Sequence, residues 1–440
     1  MDFIIVYERL NREYQNAVLL KVELEKRGYK CLISQYYEAD NYLKSIFKKE
    51  HIILVPNMYI GRNIYRTVSR FGKPKCIVNL QYEQVLSEKW EKLGHHNPKG
   101  AATLCQHVCW GENTRVRLVN AGVPSDNAHT LGAIQLDLLR NEFRDNKNSL
   151  RKSLSSRYNI DIGQKTSLFL SSFTYADISP SRLQMNEKAA GVKLDSFVDI
   201  HTKSRNKILE WLELFLIDNK ETTLIYRPHP DELNLSPVIE LESRYSNFVI
   251  CAEGAAKEWI EVSDFVMTWY STTVVETHLL NIPYVILRPV DLPDDFDSVL
   301  LKKGDFVESY DGLAALTARA FNGLNVKALR DDDIYDYYNV CEEKPSYIRY
   351  ADFLINIRES KRSFDFNYKF SKMCVARANT FMVFVIFYIY KTLRKIGKLR
   401  IFEGRFGWLD SWMKELDAQI KYGDYEEKVT NYVKEKFNVI

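Results

Sequence analysis

A histidine caught between two prolines, with an arginine just upstream, is the chemically richest feature of this chain. Residues 224–232 read LIYRPHPDE. The apolar run ends at Arg227, and Pro228 and Pro230 fix the backbone around His229 and stop the strand. Arg227 can present a bidentate guanidinium fork to a phosphate. His229 can donate to a second phosphate oxygen or protonate a leaving group. A turn carrying a surface histidine is the plain alternative. A second stretch, residues 263–290, reads SDFVMTWYSTTVVETHLLNIPYVILRPV. An apolar strand enters a hydroxyl-rich loop, Ser271-Thr272-Thr273, and a helix opens with Glu276 in its first turn. A helix start offers free N–H groups and positive dipole, so three hydroxyls beside it make a natural phosphate cradle. Ordinary capping by Ser or Thr accounts for the same residues without a ligand. Glu276 either caps the helix or takes a sugar or ribose hydroxyl.

Both stretches need a sheet to hold them. Short buried-strand runs alternate with helical periodicity from the start: Phe3–Val6, then a helix over 16–28 stopped by Gly28, then strands near 30–34, 51–56, 75–80 and 106–111. A helix over 112–121 closes at Gly122. That alternation implies a parallel sheet with helices on both faces, a doubly wound domain over residues 1–140. Residues 141–164 are polar and charged, a linker. A second α/β pattern runs over 165–360, with strands at 166–173, 222–230, 247–251, 265–269 and 284–289. The fold class is therefore α/β: two tandem doubly wound, Rossmann-like domains facing a cleft, followed by a helical, basic and apolar appendage over 361–440. Ligands of such sheets sit beyond the carboxyl ends of the strands.

Composition narrows the function classes. With 440 residues, 46% of them hydrophobic and 27% charged, the chain is a folded globular protein large enough for two domains. A formal net charge of +3 gives no electrostatic case for a nucleic-acid partner. Seven scattered cysteines, and a start (MDFIIVYERLNREY) without a secretory pattern, point to the cytoplasm. Cys105, His107 and Cys109 lack a second ligand pair at zinc-site spacing. Asp294-Asp295 and Asp331-Asp332-Asp333 read as solvated loop acids, so no metal is expected. No GxGxxG follows the first strand, against a dinucleotide enzyme. In the appendage, ten successive apolar residues, Phe381–Tyr390, fall short of the about 20 that span a bilayer. Lys391, Arg394, Lys395, Lys398 and Arg400 follow them, which suits a helix lying on an anionic membrane surface.

Taken together, RPHPDE and WYSTTVVETHLLNIPYVIL resemble the donor half of two-domain GT-B glycosyltransferases that build bacterial surface polysaccharides. RPHPDE is similar to the His-Pro motif of capsule Kdo and sialic-acid transferases; the Asn281-Ile282-Pro283 turn matches their "G/N-x-P". The opening, with Arg12-Glu13 before the first long helix, resembles surface-carbohydrate biosynthesis proteins, as do Trp110, Gly111, Gly132 and Asp137. That family's arginine is absent here, where Gln135 and Leu136 stand. The resemblance covers roughly residues 1–300. It implies a cytoplasmic glycosyltransferase, peripheral on the inner face of the membrane. Such an enzyme moves a sugar from a nucleotide-activated donor, CMP-Kdo-like among the options, to a lipid-linked saccharide acceptor, with no cofactor beyond the donor. Arg227, His229, Ser271, Thr272, Thr273 and Glu276 are then the donor site. An acceptor-activating base is expected from the first domain, Glu8, Glu13 or Glu83, with Glu13 favoured for its place in the strand-to-helix turn. The rivals are a CDP-polyol phosphotransferase of teichoic-acid-like polymers, a non-catalytic scaffold that binds no nucleotide and, more remotely, a nucleotide-sugar epimerase.

Overall fold

A computed structural model describes the chain except residues 39–41, 43–46, 48–49, 83–86, 93, 95, 159, 161–163, 233, 295, 362, 396–406, 421–423 and 438–440. It divides into two compact units, residues 1–84, 96–143 and 336–440 in the first, and 85–95 with 144–335 in the second.

Each unit is built on a six-stranded, wholly parallel sheet flanked by helices, the doubly wound α/β class that the alternation implies. In the first unit the strands are β1 (Phe3–Tyr7), β2 (Cys31–Gln35), β3 (Ile52–Val55), β4 (Cys76–Asn79), β5 (Gln106–Cys109) and β6 (Ala128–Thr130). They lie in the order β2-β1-β3-β4-β5-β6. In the second they are β7 (Lys165–Leu170), β8 (Thr222–Arg227), β9 (Phe248–Ile250), β10 (Phe265–Thr268), β11 (Tyr284–Leu287) and β12 (Phe306–Val307). Their order is β12-β11-β10-β7-β8-β9. The strands read as continuous apolar runs because helices cover both faces of a parallel sheet; β1, β3 and β4 are buried at every position. Chain order reverses direction between β1 and β3 in one sheet and between β7 and β10 in the other. Those reversals are the points where adjacent strand ends part and leave a crevice.

The boundary expected near residue 360 falls instead at residue 335. The Ser346–Glu359 helix buries Tyr347, Tyr350, Leu354 and Ile357 in the core of the first unit, with Tyr14, Val18 and Val22 of the Leu10–Lys26 helix. The residues that carried the resemblance in the first half hold this returning segment. A Cβ on Gly111 would stand 2.1 Å from the Tyr337 carbonyl oxygen, so only glycine admits the approach. Gly132 has φ +84°, and its carbonyl accepts the Tyr350 hydroxyl at 2.8 Å. Trp110 stacks on Tyr338. Asp137 accepts the backbone N–H groups of Ser346 and Tyr347 at 3.1 and 2.7 Å, capping the helix.

The appendage also joins the first unit. The Tyr425–Phe437 helix packs on Leu10–Lys26, with Val433 in the same core and Lys21 paired to Glu426 at 2.8 Å. The apolar run lies in a 26-residue helix, Phe370–Lys395. That helix is long and apolar enough by length and composition to cross a membrane, which the ten-residue run alone is not. It packs on the Gly61–Phe71 helix, where the Ser69 and Thr380 hydroxyls meet at 2.8 Å. Lys398 and Arg400 lie outside the described residues.

Candidate functional site

In the second unit, the ends of β8 and β10 flank the end of β7 on the carboxyl side of one sheet. The Arg227–His229 segment leaves β8 there, and the Ser271–Thr273 loop leaves β10. Tertiary structure thus brings the two chemically rich stretches to either side of one strand, at the reversal of the sheet.

Arg227 is half-buried, and its fork is already engaged. Its two terminal nitrogens donate to the Glu253 and Gly254 carbonyls at 2.7 and 2.5 Å. The side chain therefore pins the loop after β9 and contributes charge to the crevice rather than an open bidentate hand. Asp231 N–H donates to His229 Nδ1 at 3.1 Å. The neutral imidazole then carries its proton on Nε2, as a donor. Burial depresses its pKa, so the neutral form prevails at neutral pH.

The residue that fixes this turn is Glu232, within the quoted stretch but given no role by it. Glu232 is 8% exposed. It accepts from the Ser171 hydroxyl at 2.6 Å, the Tyr226 hydroxyl at 2.8 Å and His229 N–H at 3.3 Å. Burial raises its pKa, opposed by those hydrogen bonds. Strand β7 thus holds the histidine turn of β8 through one buried carboxylate. The signal in the sequence was an acid five residues past a strand end, too common to single out.

At the end of β10, Tyr270 N–H donates to Ser172 Oγ at 3.2 Å, tying this loop also to the end of β7. Ser271 turns inward, its hydroxyl 2.7 Å from Thr273 Oγ1 and accepting Thr273 N–H at 3.3 Å. Two of the three hydroxyls therefore serve the turn; Thr272 is exposed. The helix that follows, Val274–Leu279, has only six residues, which makes for a weaker phosphate cradle than the sequence implied. It ends on Asn281 at φ +56°, the left-handed conformation that Gly and Asn tolerate best.

Glu276 accepts no hydrogen bond from any described residue. Burial pushes its carboxyl up to about 7, against the pull of the Lys257 and Arg227 cations. A half-buried carboxyl in a cationic field can accept hydrogen bonds from hydroxyl or amide donors.

In the first unit, Glu13 is not available as a base. It is fully buried. One oxygen accepts Glu8 N–H at 2.6 Å and Arg9 N–H at 3.2 Å, and the other binds the Arg12 guanidinium at 2.6 Å. It reaches back over the helix start in the manner of a capping box. Glu8 is the carboxylate left at the β1/β3 reversal, half-exposed and held by Asn57 at 2.8 Å. Glu83 lies outside the described residues. His107 is likewise structural: Asn79 and the Ala102 carbonyl occupy its two ring nitrogens at 3.1 and 3.0 Å, and burial lowers its pKa to about 4.

No protein-family model and no curated protein match this chain. Solved structures match most of its length at low similarity. One is a putative UDP-N-acetylglucosamine 2-epimerase from Listeria monocytogenes, with 11% identity, 83% of this chain and 99% of that one covered, and a TM-score of 0.46. Another is the UDP-GlcNAc 2-epimerase of Neisseria meningitidis bound to UDP-GlcNAc, with 10% identity, 81% and 99% covered, and a TM-score of 0.47. A third is the wall teichoic acid polymerase TagF, with 14% identity, 81% and 89% covered, and a TM-score of 0.46. At such identities the likeness concerns the path of the chain and not its substrate.

Proposed function

We propose that the protein is a glycosyltransferase of surface-polymer synthesis whose second unit binds the nucleotide-activated sugar donor. The observation that carries this reading is Glu276. Its half-buried carboxylate accepts no hydrogen bond among the described residues, lies in the field of Arg227 and Lys257, and follows β10 at the sheet reversal. A ribose diol supplies the two donors that such a carboxylate lacks. His229 Nε2–H then donates to a phosphate oxygen as negative charge grows on the leaving group. Arg227 adds charge without leaving its carbonyl anchors, and Thr272 offers a hydroxyl. Transfer breaks the bond from the anomeric carbon to the phosphate oxygen. The acceptor hydroxyl forms the new glycosidic bond and loses its proton to a general base. A lipid-linked acceptor and a CMP-Kdo-like donor belong to this proposal as the resemblance frames it.

The tautomer of His229 favours sugar transfer over polyol-phosphate transfer. With Nδ1 occupied by the Asp231 amide, the neutral ring donates rather than removes a proton. Product analysis separates the two chemistries: a glycosidic bond with released nucleotide in one case, a phosphodiester in the other. Incubation of the purified protein with CMP-, UDP-, GDP- and CDP-activated donors in turn tests the reading. Nucleotide release from a sugar donor that falls on the order of 100-fold in His229→Ala is expected. Release at the wild-type rate in that variant contradicts it.

A further inference from the structure

The first unit carries a second cationic site, away from the strand ends. A groove of about 940 Å³ runs between the Gly61–Phe71 and Phe370–Lys395 helices. Arg62, Arg66 and Arg70 line one wall at four-residue spacing, one face of a helix. Lys369 and Lys372 line the other, and no carboxylate contributes to the lining among the described residues. Arg66 has its guanidinium 4.2 Å from the Tyr36 ring centre, and its Nε is buried without a hydrogen-bond partner. Arg70 is only 5% exposed, 4.6 Å from the Tyr37 ring centre. Five cations around one cavity, two of them over aromatic faces, repel one another unless an anion sits among them.

Beside the groove the same helix presents a bare apolar surface. Thr380, Phe387 and Tyr390 face inward, where Phe387 and Tyr390 pack with Met413, Leu416 and Ile420. Phe381, Met382, Val385, Tyr388 and Ile389 face out, with Phe381 68% and Tyr388 74% exposed. This helix is apolar on the side that a water-soluble helix keeps polar. Lys391, Arg394 and Lys395 close its far end.

We propose that the groove binds the phosphate headgroup of an anionic phospholipid while the outer face of the Phe370–Lys395 helix lies in the membrane surface beside it. Charge complementarity selects this occupant: cations stand at both ends of the apolar face, where a helix lying along one leaflet brings both ends to the anionic headgroups. The inward face is committed to the protein, so the helix lies along the surface rather than crossing it. The proposal rests on no part of the donor site, and its test reads lipid rather than turnover.

The test is co-sedimentation of the full chain with phosphatidylcholine vesicles and with vesicles that also contain phosphatidylglycerol. Binding to the anionic vesicles alone, weakened by salt, is expected. Lys369→Gln with Lys372→Gln, both exposed, should lower affinity roughly 30-fold, as the loss of two surface cations implies. Phe381→Ser with Tyr388→Ser should abolish it, and both variants should keep the wild-type melting temperature. Arg62→Gln with Lys372→Gln is the second charge variant, should the first fold poorly. Equal binding to both vesicle types, or unchanged binding in the charge variants, overturns the headgroup site. A dimer that Phe381→Ser dissolves, with no vesicle binding at low salt, assigns the face to a protein partner and overturns it as well.

Discussion

Two strand-to-helix turns in this molecule share one grammar and do opposite work. Each follows a strand at the reversal of its sheet, and each places a glutamate early in the next helix: Glu13 after β1, Glu276 after β10. Glu13 folds back onto two backbone N–H groups and an arginine and is fully buried. Glu276 accepts no hydrogen bond among the described residues and stays half-buried in the field of Lys257 and Arg227. The difference lies in what the turn leaves unsatisfied. The β1 turn has no side-chain cap of its own, so its glutamate completes it. The helix after β10 has no side-chain cap either; there Ser271 accepts the Thr273 N–H, and Glu276 does not fold back onto the turn. Of the two acids, the one the backbone does not need is the candidate for binding a ligand.

The comparison can be broken at either turn. The largest effect is expected at His229, after β8 in the same unit. His229→Ala removes the Nε2–H donor and should lower turnover on the order of 100-fold or more, with the melting temperature nearly unchanged, since a loop-edge ring carries little core. Steady-state kinetics beside a melting curve checks both halves. Glu13→Ala is expected to act the other way round. Leaving two partly buried backbone N–H groups without their acceptor costs about 1–3 kcal/mol of stability, read in denaturant titration, while nucleotide affinity holds. Loss of affinity without loss of stability would return Glu13 to the site.

A smaller effect is expected from pH. The folded pKa of Glu276 lies above its ordinary value of 4.5, at about 7. The native state then binds the proton more tightly than the unfolded chain does. The stability this contributes is present below the ordinary value and is lost as pH rises through about 7. The ligand-free wild type should lose roughly 1–3 kcal/mol over that window, and Glu276→Gln should not. Parallel stability curves for the two proteins would show that the carboxyl is not perturbed.

Much of the fold was legible. Runs such as FIIV, SLFL and DFVMTW are continuous because both faces of a parallel sheet are covered, and that pattern alone implies two doubly wound units. The unit boundary was not legible. Residues 336–360 follow the second sheet in sequence, but Asp137, Gly111 and Gly132 recruit them to the first, and such long-range capping leaves no local trace. At the site, the sequence pattern implied that the His229 and Glu276 stretches follow strands of one sheet, and they leave β8 and β10 on either side of β7. They could not show that carbonyls occupy Arg227, that Ser271 turns inward, or that Glu232 holds the histidine, because each depends on where a partner strand ends. In the tail, the run of ten apolar residues did not show that Phe387 and Tyr390 turn inward to pack with Met413, Leu416 and Ile420 while Phe381 and Tyr388 stay exposed, because that division depends on a partner helix.

The most direct measurement is the melting temperature of wild type, Glu276→Gln and Glu13→Gln with CMP, CDP, UDP and GDP in turn. A nucleotide that binds the native state must raise it by mass action. The account predicts that one nucleotide stabilises the wild type, that Glu13→Gln melts lower but shows the same shift, and that Glu276→Gln shows little or none. A full shift in Glu276→Gln, or no shift with any nucleotide in the wild type, would contradict it.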